Sequence, residues 1–255
     1  MDIVVATSIA PKNIELQKLA IKSWLDLGIS VVSLNTNQEI EYLTPFFREI
    51  EFLKVEHTGK NMYGKDYVYL NDIMNYLKKY GTDICGLINS DIFLRTTPHF
   101  LNLILLECKN SLVFASRWDL NQLTDEHGEL FELGFDVFFF DRNLLSYFQT
   151  SRFCLGVPWW DYWIPATAVQ NHLTIKYAVT PFAYHLKHDT NYDQHIWIRA
   201  GMKFLKDYDS NAYESLSRQI MNTQLAKMNP IISNTLKCIS FRLLSEVENS
   251  AIKVF

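Results

Sequence analysis

Two short apolar runs rich in β-branched side chains, Ile3 to Thr7 and Ile29 to Leu34, stand on either side of a segment with helical periodicity. That segment runs from about Asn13 to Leu27 and is stopped by Gly28. Strand, helix and strand at this spacing read as a parallel crossover unit, and therefore as an α/β fold. The pattern continues along the chain. A helix over residues 38–53 with an interruption at Pro45 precedes a short strand at Lys54 to His57. Tyr67, Leu70, Ile73, Met74 and Leu77 recur at helical spacing and end at Gly81. Strands are expected at Asp83 to Ile88, Ser111 to Ser116, Asp136 to Phe140 and within 174–184. Helices are expected at Pro98 to Glu107, near Arg142 to Phe148 and over 159–172 despite Pro165; a polar, hairpin-like stretch covers 121–129, and the remainder is mostly helical.

A chain of 255 residues that is 48% hydrophobic can bury one large core. The expectation is a domain over residues 1–205 and a helical extension over 206–255. In that extension Ile231/Ile232, Leu236, Ile239 and Leu243/Leu244 form a stripe suited to packing on the domain, on a partner helix or on a membrane surface. A net charge of −4 supplies no basic field for a polynucleotide, so nucleic acid is excluded as a partner. Four widely spaced cysteines give neither a zinc knuckle nor a disulfide framework, which fits reduced thiols and a cytoplasmic protein. The start carries no basic region before its apolar run, and no window is apolar for long enough to span a bilayer. Peripheral contact with the inner face of a membrane stays open.

The chemistry-bearing residues sit beside these expected elements. The apolar strand ending at Ile88 delivers Asn89-Ser90-Asp91 to its C-terminal end, the edge at which open parallel sheets bind ligands. A hard divalent ion, Mg²⁺ or Mn²⁺, suits a carboxylate at that place; the plainer reading is a turn that caps the next helix. Asp161 follows Trp159-Trp160 and reads either as a helix cap or as a general base for a hydroxyl. Asp136, between Gly134 and a phenylalanine run, is a buried turn carboxylate or a group that binds hydroxyls. His185 and His188 follow the last expected strand, His185 ending it, and Lys187 between them is a point charge for phosphate or a solvated lysine.

In their order along the chain these features resemble the nucleotide-diphospho-sugar glycosyltransferases of the GT-A fold, over most of the chain as far as His188. Asn89-Ser90-Asp91 looks like a variant of their DxD motif with Asn at the first position. The resemblance implies a mixed, mostly parallel sheet flanked by helices, a nucleotide-diphosphate sugar as donor, and a metal held by Asp91 with His185 or His188. It implies Thr7, Ile9, Asn35, Asn89 and Ser90 at the donor; Gly64-Lys65-Asp66, before an expected helix, either presents backbone N–H groups and Lys65 to phosphate or is a plain helix start with Asp66 in its first turn. It implies Arg117, Trp118, Gly134, Trp159 and Trp160 in the sugar and acceptor pocket, the tryptophans offering stacking faces. Asp161 becomes the base of an inverting transfer, with Asp136 second to it, and the acceptor a glycan or a lipid-linked glycan. Two other readings stay open: a sugar-nucleotide nucleotidyltransferase, against which the Ser8-Ile9-Ala10-Pro11-Lys12 turn argues, and a non-catalytic carbohydrate-binding protein.

Overall fold

In the computed structural model, which describes residues 2–148, 152–188, 193–221 and 225–255, strand and helix alternate as the apolar periodicity requires. The opening unit is β1 (Ile3–Thr7), α1 (Ile14–Leu25) and β2 (Ser30–Asn35), with β1 and β2 parallel. Gly28 takes φ +81, a left-handed conformation that a side chain would strain, and so turns the chain out of α1 into β2.

The rest of the central sheet is β3 (Glu51–Lys54), β4 (Ile84–Ile88), β6 (Ser111–Ala115), β9 (Val137–Asp141), β10 (Thr174–Ala178) and β12 (Ile252–Val254). The strand order is β12-β10-β6-β9-β4-β1-β2-β3. Every pairing is parallel except those of β9, which runs antiparallel between β4 and β6. A smaller sheet, ordered β5-β11-β7-β8, is made by β5 (Ile92–Leu94), β7 (Trp118–Leu120), β8 (Glu129–Leu130) and β11 (Ala183–Leu186).

Helices cover both faces of the central sheet, because its strands are apolar on both sides. In β9, Phe138 and Phe140 join one cluster, while Val137 and Phe139 join the other. The remaining helices are α2 (Asn37–Leu43), α3 (Lys60–Tyr63), α4 (Leu70–Tyr80), α5 (Pro98–Glu107), α6 (Trp160–Gln170), α7 (Gln194–Tyr208), α8 (Ser210–Met221) and α9 (Leu225–Ser250). Ile21 and Trp24 of α1 and Leu101, Ile104 and Leu105 of α5 pack on the Phe139 side. Ile73 and Leu77 of α4, Ile164 and Ala168 of α6 and Phe204 of α7 pack on the other.

The expected mixed, mostly parallel α/β architecture is the observed one, and several boundaries differ. The helix expected over 38–53 ends at Leu43, two residues before Pro45, whose ring and missing N–H cannot continue it. The third strand occupies Glu51–Lys54 rather than 54–57. Residues Arg142–Phe148 form a 3₁₀ helix. The last expected strand divides into β10 and β11, and β5 and β12 are additions. The C-terminal stripe packs inward: Ile232, Leu236, Leu243, Leu244 and Val247 lie in the main core cluster, and β12 then pairs with β10. Among the described residues no helix is long and apolar enough to cross a membrane. All four cysteines are free thiols.

Candidate active site

β9 begins at the C-terminal ends of its neighbours β4 and β6, and β5 and β7 of the small sheet follow those two ends closely in the chain. The register of the small sheet assembles the first group. In β11, His185 is opposite Ile92 of β5 on one side and Asp119 of β7 on the other. Asp91, one residue before β5, is thereby brought to His185. Its Oδ2 lies 3.7 Å from His185 Nε2 and 4.0 Å from His188 Nε2, and one ligand atom from each of the three residues falls within 4.8 Å of the others. One carboxylate and two imidazoles at this spacing make a mixed oxygen and nitrogen donor set that suits a first-row transition ion, Mn²⁺ included, better than Mg²⁺, which favours oxygen throughout. About a third of the Asp91 side chain, 36%, faces solvent, so the group is open on one side.

Burial alone would push the Asp91 carboxyl up. Hydrogen bonds from His185 and His188, with the charges of His185 and Arg117, outweigh that and hold it well below the usual carboxylate range. Burial lowers the His185 imidazole, but Asp119 and Asp91 raise it further, to about 9.

The rest of the motif points elsewhere. Asn89 Nδ2 donates to Asp136 Oδ1 at 2.6 Å, and the Asn89 N–H donates to the Asp136 carbonyl. Ser90 Oγ donates to Gln17 Oε1 at 2.7 Å. Gln17, 3% exposed on the inner face of α1, also accepts the N–H of Ala10 and donates to the carbonyls of Ala10 and Lys12. It ties the loop after β1 to the tip of β4. Sequence reasoning missed that role, although a glutamine on the buried stripe of Ala20, Ile21 and Trp24 was a visible signal.

The second group surrounds Asp161. Its Oδ2 accepts the N–H of Phe135 at 3.3 Å, and a Cβ added to Gly134 would overlap that same oxygen. A larger residue at 134 would have to displace the Asp161 carboxylate. Burial, and then the Asp136 charge, push the Asp161 carboxyl up to about 7, with backbone N–H groups of Phe135, Asp161 and Tyr162 opposing. Asp161 also lies in the first turn of α6, so it complements the helix N-terminus in addition to facing Gly134. Tyr162 Oη donates to the Leu133 carbonyl at 2.7 Å and fixes the facing loop.

Between the two groups runs a chain of charges. Arg117 Nε donates to Asp119 Oδ1 at 2.8 Å, its guanidinium reaches Asp136 Oδ2 at 3.1 Å, and it lies 4.0 Å from the centroid of the Phe131 ring. Asp136, 5% exposed, is thus bound by Arg117 and Asn89 together.

Other expected residues are held in the interior. Trp159 and Trp160 are core residues, 1% and 4% exposed, so neither ring has the face open to a sugar that the sequence suggested. Trp159 Nε1 donates to the Trp197 carbonyl and the ring packs on Phe204; Trp160 packs edge-on against Phe138. Apolar area, and no unmet polar need near a solvent channel, decides where these rings go. Thr7, Ile9 and Asn35 are fully buried. Thr7 Oγ1 donates to the Ile88 carbonyl, and Asn35 bonds the Ile9 carbonyl, Ser33 and Glu39. Trp118 is half-buried in the small sheet. Gly64-Lys65-Asp66 does not open a helix: Gly64, at φ +77, closes the single turn of α3, Lys65 is exposed, and Asp66 pairs with Lys60 at 2.7 Å. Lys187 pairs with Glu129 at 2.5 Å.

A depression of about 740 Å³ lies at the opposite edge of the sheet, lined in part by Asp83, Lys109, Asn110, Asp141 and Arg142. Its polar groups serve the fold, with Asp141 accepting the N–H groups of Asn110 and Asn143 and Arg142 donating to the Gly81 carbonyl.

No protein-family model matches the sequence, and no curated protein does. Solved structures similar to the chain include a Desulfovibrio desulfuricans protein described as a nucleotide-diphospho-sugar transferase, at 12% identity and TM-score 0.47, covering 84% of this chain and 95% of that one. Staphylococcus aureus TarS is similar at 12% identity and TM-score 0.48, over 98% of this chain and 55% of TarS. Rv0371C of Mycobacterium tuberculosis, in complex with manganese, is similar at 10% identity and TM-score 0.46, over 74% of this chain and 94% of that one.

Proposed function

We propose that the chain is a metal-dependent glycosyltransferase that moves a sugar from a nucleotide-diphosphate donor to a hydroxyl of a glycan or lipid-linked acceptor, with inversion. The observation that carries this reading is the Asp91, His185 and His188 cluster at the C-terminal edge of the parallel strands, beside a second carboxylate, Asp161, whose proton is held to about 7. A cation site and a proton acceptor on one rim are the two functions that such a transfer needs.

In this reading Asp91, His185 and His188 hold Mn²⁺ or Mg²⁺. A divalent ion held there would supply Lewis-acid neutralisation of the charge on the leaving group. The nucleotide lies along the loop after β1 and the tip of β4. Gln17 and Ser90 keep that cradle rigid; Thr7, Asn35 and Asn89 support it from beneath rather than through free side chains. Asp161 accepts the proton of the acceptor hydroxyl as its oxygen attacks the anomeric carbon. A carboxyl that titrates near 7 is half ionised at neutral pH and basic enough to take that proton in the transition state. Gly134 leaves Asp161 room, and Arg117 with Phe131 forms the wall on the acceptor side.

A thermal-shift screen of nucleoside diphosphates with and without Mn²⁺, on the wild type and on Asp91→Ala, tests this. The expected result is a stabilisation by one nucleotide that requires Mn²⁺ and is lost in the variant. A folded wild type that responds to no nucleotide overturns the reading. A response to nucleoside triphosphate with a sugar phosphate, and to no diphosphate, moves the assignment to nucleotidyl transfer.

A further inference from the structure

Among the metal-directed side chains, His185 makes a second contact that sets its orientation. Its Nδ1 lies 3.1 Å from Asp119 Oδ1, while its Nε2 is turned to Asp91. The contact follows from the fold: β7 and β11 run parallel with Asp119 and His185 as register partners, so the two side chains emerge side by side. Asp119 is in turn fixed by Arg117, which donates from Nε at 2.8 Å and holds Asp136 with its other arm. Asp119 is only 16% exposed in its side chain and Arg117 19%, so water competes poorly for these bonds.

We infer that Asp119 is a positioning residue for the metal centre: it accepts the Nδ1–H of His185, fixes the tautomer that leaves Nε2 as the ligand atom, and is itself held by Arg117. The inference rests on the metal centre of the proposed function and assigns a role to a residue outside the ligand set. A carboxylate on the far nitrogen of a ligating histidine both orients the ring and strengthens it as a donor. Arg117 adds a second consequence. One guanidinium ties Asp119, behind the metal-binding ring, to Asp136, beside Asp161, so the two groups of the site share one rigid support.

The decisive measurement is a Mn²⁺ titration of the full chain, without nucleotide, followed by the electron paramagnetic resonance signal of free Mn²⁺. Asp119→Asn is expected to bind Mn²⁺ ~10 to 100 times more weakly than the wild type. Asp119→Glu, which keeps a carboxylate, is expected to recover most of that loss. Equal affinity in wild type and Asp119→Asn overturns the inference and leaves the metal centre standing; a wild type that binds no Mn²⁺ overturns both. If Asp119→Asn does not fold, nitrogen NMR of the wild type loaded with diamagnetic Zn²⁺ decides instead. Metal on Nε2 with a hydrogen-bonded Nδ1–H on His185 supports the role, whereas metal on Nδ1 overturns it, and a change in stability alone would leave this signature unmoved.

Discussion

Asn89-Ser90-Asp91 and Trp159-Trp160-Asp161 are built alike and are tuned oppositely. In each triplet the first two side chains face inward: Asn89 to Asp136 and Ser90 to Gln17 in one, Trp159 to Phe204 and Trp160 to Phe138 in the other. In each, the terminal aspartate is partly exposed, while Asn89 and Ser90 are partly buried and Trp159 and Trp160 wholly so. Asp91 has two imidazoles for neighbours and is held as a carboxylate, whereas Asp161 has an apolar surround and the Asp136 charge and keeps a proton to about 7. In the proposed function the same side chain serves as a cation ligand on one side of the site and as a proton acceptor on the other. Two titratable groups driven apart by their surroundings mark separate chemical roles more firmly than either motif does.

Four substitutions break or sharpen this contrast. Asp161→Asn is expected to lower kcat by ~10² to 10⁴ while leaving Mn²⁺ affinity as it is, which steady-state kinetics and the Mn²⁺ titration separate. The stability of this variant carries a sign. Because the folded carboxyl titrates near 7 and the unfolded one in the ordinary range, the wild type loses stability as pH rises between those values and then levels off. Asp161→Asn should consequently be more stable than the wild type at pH 8, by at most about 4 kcal/mol and less for solvent at the rim, and the gap should vanish near pH 4 in denaturant titrations.

Trp159→Ala removes a core ring and is expected to cost about 3 to 5 kcal/mol in the same titrations. A soluble variant that kept its stability and instead lost acceptor KM would show that the ring stacks on a sugar. Gly134→Ala places a methyl against Asp161 Oδ2, and the displaced carboxylate should cost roughly 10²-fold in kcat with Mn²⁺ binding retained. Asn89→Asp would place an acidic residue at the head of Asn89-Ser90-Asp91, yet it replaces a donor to Asp136 with a second carboxylate. The expected result is no gain in Mn²⁺ affinity and a loss of about 1 to 3 kcal/mol at pH 8, smaller at pH 5, measured by thermal melts across pH.

The fold was largely legible from periodicity. The first crossover, the helix closed by Gly81 and the strand ending at Ile88 all lie within a few residues of where apolar spacing puts them. Periodicity could not reveal β5 or β12, since three residues carry too little pattern to register and their pairing is with distant segments. At the candidate site, residue type and place in the chain pointed to Asp91, Asp161, His185 and His188, and the fold brings Asp91 to both histidines. They were not enough to tell a ring in the core from a ring at the rim. Trp159 and Trp160 share their composition and neighbourhood with an acceptor platform, and burial is a property of the whole packing.

What the sequence by itself determined is the local and the periodic: an α/β chain, its order of strands and helices, and the short polar tips at strand ends where ligand chemistry belongs. Those follow from backbone geometry and from apolar spacing, which act over a few residues. Only the tertiary structure decided which polar side chains meet. Asp119 stands beside His185 because two strands 66 residues apart pair in one register, and Arg117 reaches Asp136 because β9 inserts antiparallel between β4 and β6. The charge on Asp91 and the proton on Asp161 are set by those distant neighbours, and electrostatic surroundings are a property of three-dimensional position rather than of sequence.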